Sequence, residues 1–298
     1  MLLVVRLLPR PPRAAFGRGL GRFTFSVLRI RRAVTLDNLR HAFPEKSPRD
    51  RLELASQCYQ HLGMVLLEYL ALLTMTKAKL LEQIDEGCPP ASNAIQEVLR
   101  ENIGAVIMSS HVGNWEFLAA WLAVKGYPIS FIAQRANNPH VHRLVLEMRT
   151  RMGMHMIDRS SMGLRHILRA LREHRFVFLM PDQAAGRDAL FVPFFGRAAA
   201  TARGAAAFVM KTGVPIIICT LTRGAHGRFS LQTEVLRFER RPGDDEETTL
   251  REITARYTRA LEARIRQHPE QWLWLHRRWK HPAPPMPTPA APSLQMPI

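Results

Sequence analysis

Residues 106–121, "VIMSSHVGNWEFLAAW", decide how this chain is read. An apolar, β-branched run beginning in "GAVIMSS" stops at His111. Gly113, Asn114, Trp115 and Glu116 follow at once, and "EFLAAWLAVKG" then reads as a helix stopped by Gly126. A short continuous apolar run before a turn and a helix is the pattern of a strand buried on both faces. His111 therefore stands where a strand gives way to a loop.

The same alternation continues outward. "PISFIAQR", "MHMIDR", "FVFLMPD" and "VPIIICTLTR" read as further strands, and "FSLQTEVLRFE" alternates like an antiparallel one. Between them "NPHVHRLVLEMRTRMG", "MGLRHILRALREH" and "ATARGAAAFVMKTG" read as helices. "DDEETTLREITARYTRALEARIRQHP" is a helix with acids in its first turn, as the dipole favours. Strands alternating with helices predict an α/β fold: a mostly parallel central sheet flanked by helices, with an N-terminal helical layer. Ligands of such sheets sit beyond the carboxyl ends of the strands. His111, Arg135, Arg159 and Asp182 each fall just past a predicted strand, so four strand ends bring polar groups to one rim.

On the N-terminal side, Ser47, Pro48 and Asp50 form a helix start with capping-box spacing, followed by apolar residues at helical period to about Leu73. Residues 1–33 are apolar but studded with arginines, with no acid before Asp37. No run approaches the roughly 20 apolar residues of a membrane-crossing helix, and "MLLVVRLL" is too short and too broken by Arg6 for a signal peptide. The segment reads as one that lies on an anionic membrane face. Residues 34–281 are the expected folded domain, and the proline-rich residues 282–298 an expected disordered tail.

Forty-two Lys and Arg against 25 Asp and Glu leave a net charge of +17 in 298 residues, which calls for an anionic partner. Cys58, Cys88 and Cys219 are scattered, so a reducing compartment and no structural metal are expected. "GRGLG" at 17–21 lacks the preceding strand of a nucleotide loop. His140 and His142 flank a valine on a helix and diverge.

The chemistry centres on His111 and Glu116. With His111 in a loop and Glu116 in the first helical turn, the two can meet, and Gly113 eases the bend. A carboxylate against one imidazole nitrogen sets the tautomer and leaves the other free to take a hydroxyl proton. Ser109 and Ser110 lack the setting of a nucleophile.

"SSHVGNWE" resembles the H-x4-D/E box of glycerolipid acyltransferases, in the form of the lipid A late acyltransferases. "GMHMIDR", "VFLMPDQAAG" with "LFVPFFGRAAAT", "GVPIIICTLTR", "DNLRHAFPEKS" and "HPEQWLWLHRRWK" resemble further motifs of that family in the same order, over residues 34–281. The resemblance implies a glycerolipid acyltransferase-like fold, no cofactor, and transfer of a fatty acyl chain from acyl carrier protein to a hydroxyl of a lipid A precursor at the cytoplasmic face of the inner membrane. It casts His111 as general base and Glu116 as its orienter, without an acyl-enzyme. Asn114, Arg135, Arg159, Asp182 and Gln183 become substrate-binding or site-holding residues. Asn114 is expected to donate near the reacting carbonyl, Arg159 to bind a lipid phosphate, and Phe191, Phe194 and Phe195 to line an acyl groove. Acidic carrier protein, phosphorylated acceptor and anionic bilayer all suit the basic charge. Two departures stand out. The N-terminal anchor is short and arginine-broken, and Ala184 occupies a position where the family usually carries an acid. Another glycolipid or phospholipid acceptor is thus the first rival, and a non-catalytic membrane- or nucleic-acid-binding protein the second; the four strand-end residues and the apolar "WLWLHRRWK" segment argue against the second, and no nucleic acid is expected.

Overall fold

The apolar runs become a seven-stranded sheet whose central strands, at Ala105–Met108, Phe176–Leu179 and Ile216–Arg223, are buried on both faces. The computed structural model describes residues 9–282 apart from 88–89, 134–137, 159–162, 187, 225–226, 240–242 and 244. The strands are β1 (Ile84–Asp85), β2 (Ala105–Met108), β3 (Ile129–Ala133), β4 (His155–Asp158), β5 (Phe176–Leu179), β8 (Ile216–Arg223) and β9 (Phe229–Leu236), in the order β1-β9-β8-β2-β5-β3-β4. Only the β8–β9 pair is antiparallel. The mostly parallel sheet is as the alternating pattern predicts; β1, two residues long, was not expected.

Side-chain alternation sorts the core into two layers. Ala105, Ile107, Ile217, Cys219 and Leu221 face one way, onto α5 (Asn93–Arg100), α6 (Trp115–Val124) and α7 (Pro139–Met152). Val106, Met108, Ile216 and Ile218 face the other, onto α8 (Gly163–Arg172), α9 (Gly204–Thr212) and α10 (Glu246–Gln267).

One expected helix is in part something else. "ATA" at 200–202 closes the hairpin of β6 (Ala189–Phe194) and β7 (Arg197–Ala202), and α9 begins only at Gly204. Small residues favour helix locally, but pairing with the aromatic strand β6 overrides that preference. The hairpin tip brings Phe194 and Phe195 into a third cluster with Phe43, Trp272 and Trp274, where Trp272 and Trp274 meet edge-to-face at 4.6 Å. These two phenylalanines are buried in that cluster and do not line a groove, contrary to expectation.

The N-terminal layer comprises α1 (Arg10–Phe23), a π-helical turn (Thr24–Leu28), α2 (Arg32–Ala42), α3 (Pro48–Leu72) and the short α4 (Lys77–Leu81). The capping box at Ser47 forms as predicted: Asp50 N–H donates to Ser47 Oγ at 3.1 Å, and Ser47 N–H donates to Asp50 Oδ2 at 3.3 Å. The glycines of "GRGLG" explain themselves here. A Cβ on Gly21 would sit 2.0 Å from the Tyr59 carbonyl oxygen, and one on Gly63 of α3 would sit 2.1 Å from that of Gly17. Two helix backbones touch, which only glycine permits. Leu52 and Leu66, placed on the apolar face by spacing, stay exposed. Gly21→Val should destabilise the fold by about 3 kcal/mol, read as a lower midpoint in urea unfolding, since backbone atoms cannot yield as a side chain would.

Candidate active site

Strand register builds the site. Strands β2 and β5 are parallel neighbours, with Met108 opposite Leu179. Three residues further along each chain stand His111 and Asp182, which therefore arrive at the same height above the sheet. Asp182 Oδ1 accepts from His111 Nδ1 at 2.8 Å, and its Oδ2 accepts from the His111 backbone N–H at 2.7 Å. Trp272 Nε1 donates to Oδ2 at 2.8 Å. Three donors thus hold a carboxylate whose side chain is 1% exposed, while the imidazole is 17% exposed.

The electrostatics follow. Burial would lift the Asp182 pKa, yet the His111 charge and the donated hydrogen bonds outweigh it and hold it below the ordinary carboxylate range. Burial would lower that of His111, but the charge and hydrogen bond of Asp182, with a further contribution from Glu116, outweigh it and raise it. Nδ1 is committed to Asp182, and Gln183 Nε2 lies 3.3 Å from the other ring nitrogen, Nε2.

The sequence reading expects Glu116 to orient His111, and the structure corrects this: the acid on Nδ1 is Asp182. Glu116, in the first turn of α6, lines the same pocket. Burial raises its pKa, against the pull of Arg149, His111 and Trp115. Asn114 also differs from expectation. It is the N-cap of α6, its Oδ1 accepting from Phe117 N–H at 2.9 Å, and its Nδ2 donates to Glu68 Oε2 at 2.7 Å. It is fully buried and does not line the pocket. Arg135 and Arg159 lie outside the described residues. Ser109 and Ser110 are fully buried. Cys58 and Cys219 are buried thiols, and burial pushes Cys58 up to about 12.

Gly113 eases the bend after His111, as its position predicts, while the other contributors have no local signal in the sequence. Gly113 takes a positive φ of 64°, and a Cβ there would meet the Leu221 carbonyl oxygen at 2.0 Å. Gly113 N–H donates to the Gln271 carbonyl and Leu273 N–H to that of His111, both at 3.0 Å. The His111 turn is thereby stitched to the end of β8 and to the chain after α10. From that same segment His276 Nε2 accepts from Ala184 N–H at 3.1 Å, bracing the turn that carries Asp182 and Gln183. Arg149, on α7, enters the pocket beside Glu116.

Beyond the imidazole opens a cavity of about 570 Å³. His111, Trp115, Glu116 and Arg149 are among its polar or amphipathic lining; Phe131, Met154, Met156, Ile167, Phe178 and Phe208 supply apolar wall. Ala119, Ala202, Gly204 and Ala205 leave the space open. That volume suits a small-molecule or single-chain ligand. Among the described residues no His, Cys, Asp and Glu gather in a group that could hold a metal ion.

A carboxylate-bound imidazole at the strand ends of an α/β sheet, beside a largely apolar pocket, is the candidate active site. Comparison with known proteins identifies the family. A family model described as bacterial lipid A biosynthesis acyltransferase matches residues 1–281, and the chain belongs to that family. It is 27% identical to the lipid A biosynthesis lauroyltransferase of Escherichia coli K12 over 94% of this chain and 89% of that one. It is 26% identical to the palmitoleoyltransferase of the same organism, over 92% and 86%. A phosphatidylinositol mannoside acyltransferase of Mycobacterium tuberculosis is 26% identical over about half of each chain, 50% and 48%.

Asp182→Asn removes the group that lifts His111 against its burial. The His111 pKa should then fall below 6.5, as followed by NMR titration of the imidazole.

Proposed function

We propose that the protein transfers a fatty acyl chain from an acyl carrier protein thioester to a hydroxyl of a lipid A precursor, with His111 as general base. The observation that carries this is the His111–Asp182 pair at the mouth of the apolar cavity. Nε2 takes the proton of the acceptor hydroxyl, and the oxygen attacks the thioester carbonyl carbon. The C–S bond breaks, and the proton leaves with the sulfur as free thiol. Asp182 orients the ring and stabilises the imidazolium that forms. Glu116 and Arg149 form a charged wall within the cavity, where the arginine stabilises negative charge developing on the carbonyl oxygen. The acyl chain lies along Phe131, Phe178 and Phe208. Gln183, close to Nε2, positions the incoming hydroxyl.

The donor and acceptor come from the family and from charge. An acidic carrier protein and an anionic lipid both suit a chain of net charge +17. Residues 1–33 act as the membrane-associating segment, at the cytoplasmic face of the inner membrane. Phe16, Phe23, Val27, Leu28 and Ile30 are all about half exposed or more, and arginines 22, 29 and 31 lie among them. Exposed apolar side chains interleaved with cations along the chain suit the interface of an anionic bilayer. Among the described residues no helix is long and apolar enough to cross a membrane.

Purified protein with acyl carrier protein thioester and lipid A precursor should release free thiol. His111→Ala should remove this release while circular dichroism shows an intact fold; unchanged turnover would overturn the general-base role. If transfer is seen only with another glycolipid, such as a mannosylated phosphoinositide, the acceptor assignment fails and the chemistry stands. The rate should rise with pH along a limb centred above 6.5, because the raised His111 pKa means the base form appears only there. Asp182→Asn should move that limb down and cost about 10²–10⁴ in kcat. A limb that stays in place would remove Asp182 from the orienting role.

A further inference from the structure

On the far side of the His111 turn lies a second cavity, of about 450 Å³, between α1 and the end of β8. Arg10, Arg13, Arg18 and Arg223 line it, and Glu68 is the one carboxylate among its lining residues. That carboxylate is already engaged: Glu68 Oε2 accepts from Arg223 at 2.6 Å and from Asn114 at 2.7 Å. Of the remaining guanidiniums, Arg10 donates to the Gly227 carbonyl at 2.8 Å and Arg18 reaches the Met64 sulfur at 3.7 Å, both neutral acceptors. Arg223 Nε is buried and has no hydrogen-bond partner among the described residues. Burial, opposed by Glu68, and then the crowding of Arg223 and Arg228 hold Arg10 below its ordinary pKa; burial and Arg10 do the same to Arg13. The cleft is short of negative charge.

We propose that this cleft binds a phosphate group of the lipid acceptor, as a phosphomonoester held by Arg10 and Arg13 against Arg223. The assignment deepens the acyltransferase reading and rests on it for the identity of the lipid. Planar guanidiniums converging on one space match the oxygens of a phosphate, and a dianion neutralises more of the cluster than a monoanion does. The ligand is a lipid because α1, which supplies three of the four arginines, also carries the exposed Phe16 and Phe23. One helix therefore faces an anionic cleft ligand and an apolar surface together. The cleft is tied to the reacting centre through Glu68 and Asn114, three residues after His111. A headgroup held there is anchored beside the turn that carries the base.

The test is vesicle co-sedimentation with the full chain. Phosphatidylcholine vesicles carry either phosphatidic acid, a phosphomonoester, or phosphatidylglycerol, a phosphodiester, at matched surface potential. The expected result is at least tenfold tighter binding to the phosphatidic acid vesicles. Arg10→Gln with Arg13→Gln should remove that preference. Arg10→Lys with Arg13→Lys keeps the charge but not the forked donors; it should lose the preference while keeping binding to phosphatidylglycerol, which guards against mere unfolding. Competition by millimolar inorganic phosphate would show that the phosphate group alone is recognised; absence of competition would show that the membrane-borne headgroup is required. Equal binding to both vesicle types by the unmodified protein, or a preference that survives both double substitutions, overturns the proposal. His111→Ala should bind phosphatidic acid vesicles normally. Failure of acyl transfer with this preference intact would thus sink the enzymatic reading and spare the cleft, and the reverse pattern would do the opposite.

Discussion

The structure turns on one pairing: the His111 imidazole and backbone amide closing on the Asp182 carboxylate across the ends of two neighbouring parallel strands. The pairing needs strands of matched length in matched register, since a slip of one residue would turn each side chain to the opposite face. It needs both strands sheathed in apolar residues so that the carboxylate is dry. It also needs Trp272 to supply a third donor, because a buried carboxylate with unfilled acceptor sites is costly. Sheet, core and C-terminal segment are all conditions of that contact.

The remaining architecture holds the His111 turn still. Gly113 lets the backbone pass against β8 where any side chain would collide. Asn114 caps α6 and hands its amide to Glu68, which Arg223 neutralises. The chain after α10 returns to pair with the turn and, through His276, to brace the next one. The orientation of the His111 ring is set by elements far apart along the chain, and the proposed general-base role needs that aim.

The polar groups also divide the region into two environments. On one side of the turn is an apolar cavity with a buried acid and an arginine; on the other, a cleft of arginines beneath a helix that exposes Phe16 and Phe23. A molecule with a hydrocarbon chain and a charged head needs both. Four of the basic residues counted in the composition, Arg10, Arg13, Arg18 and Arg223, gather at that cleft.

Much of the fold was legible from local pattern. The buried runs, the glycine stops, the capping box at Ser47 and the acidic first turn of α10 depend on neighbours a few residues apart, so spacing revealed them. The site was legible only in part. His111, Asp182 and Gln183 were picked out by their place past strand ends and by collinear motifs. Local spacing pointed to Glu116 as the partner of His111, because five residues of separation are visible in a sequence and 71 are not. Asn114 looked like a donor to substrate until the structure used it as a cap. The sequence by itself determined which strands form and which polar groups sit at their ends, because both follow from hydrophobic period. Only the tertiary structure decided which acid meets the histidine, why the glycines of α1 are needed and where the arginines converge, because each depends on the register of packed elements far apart along the chain.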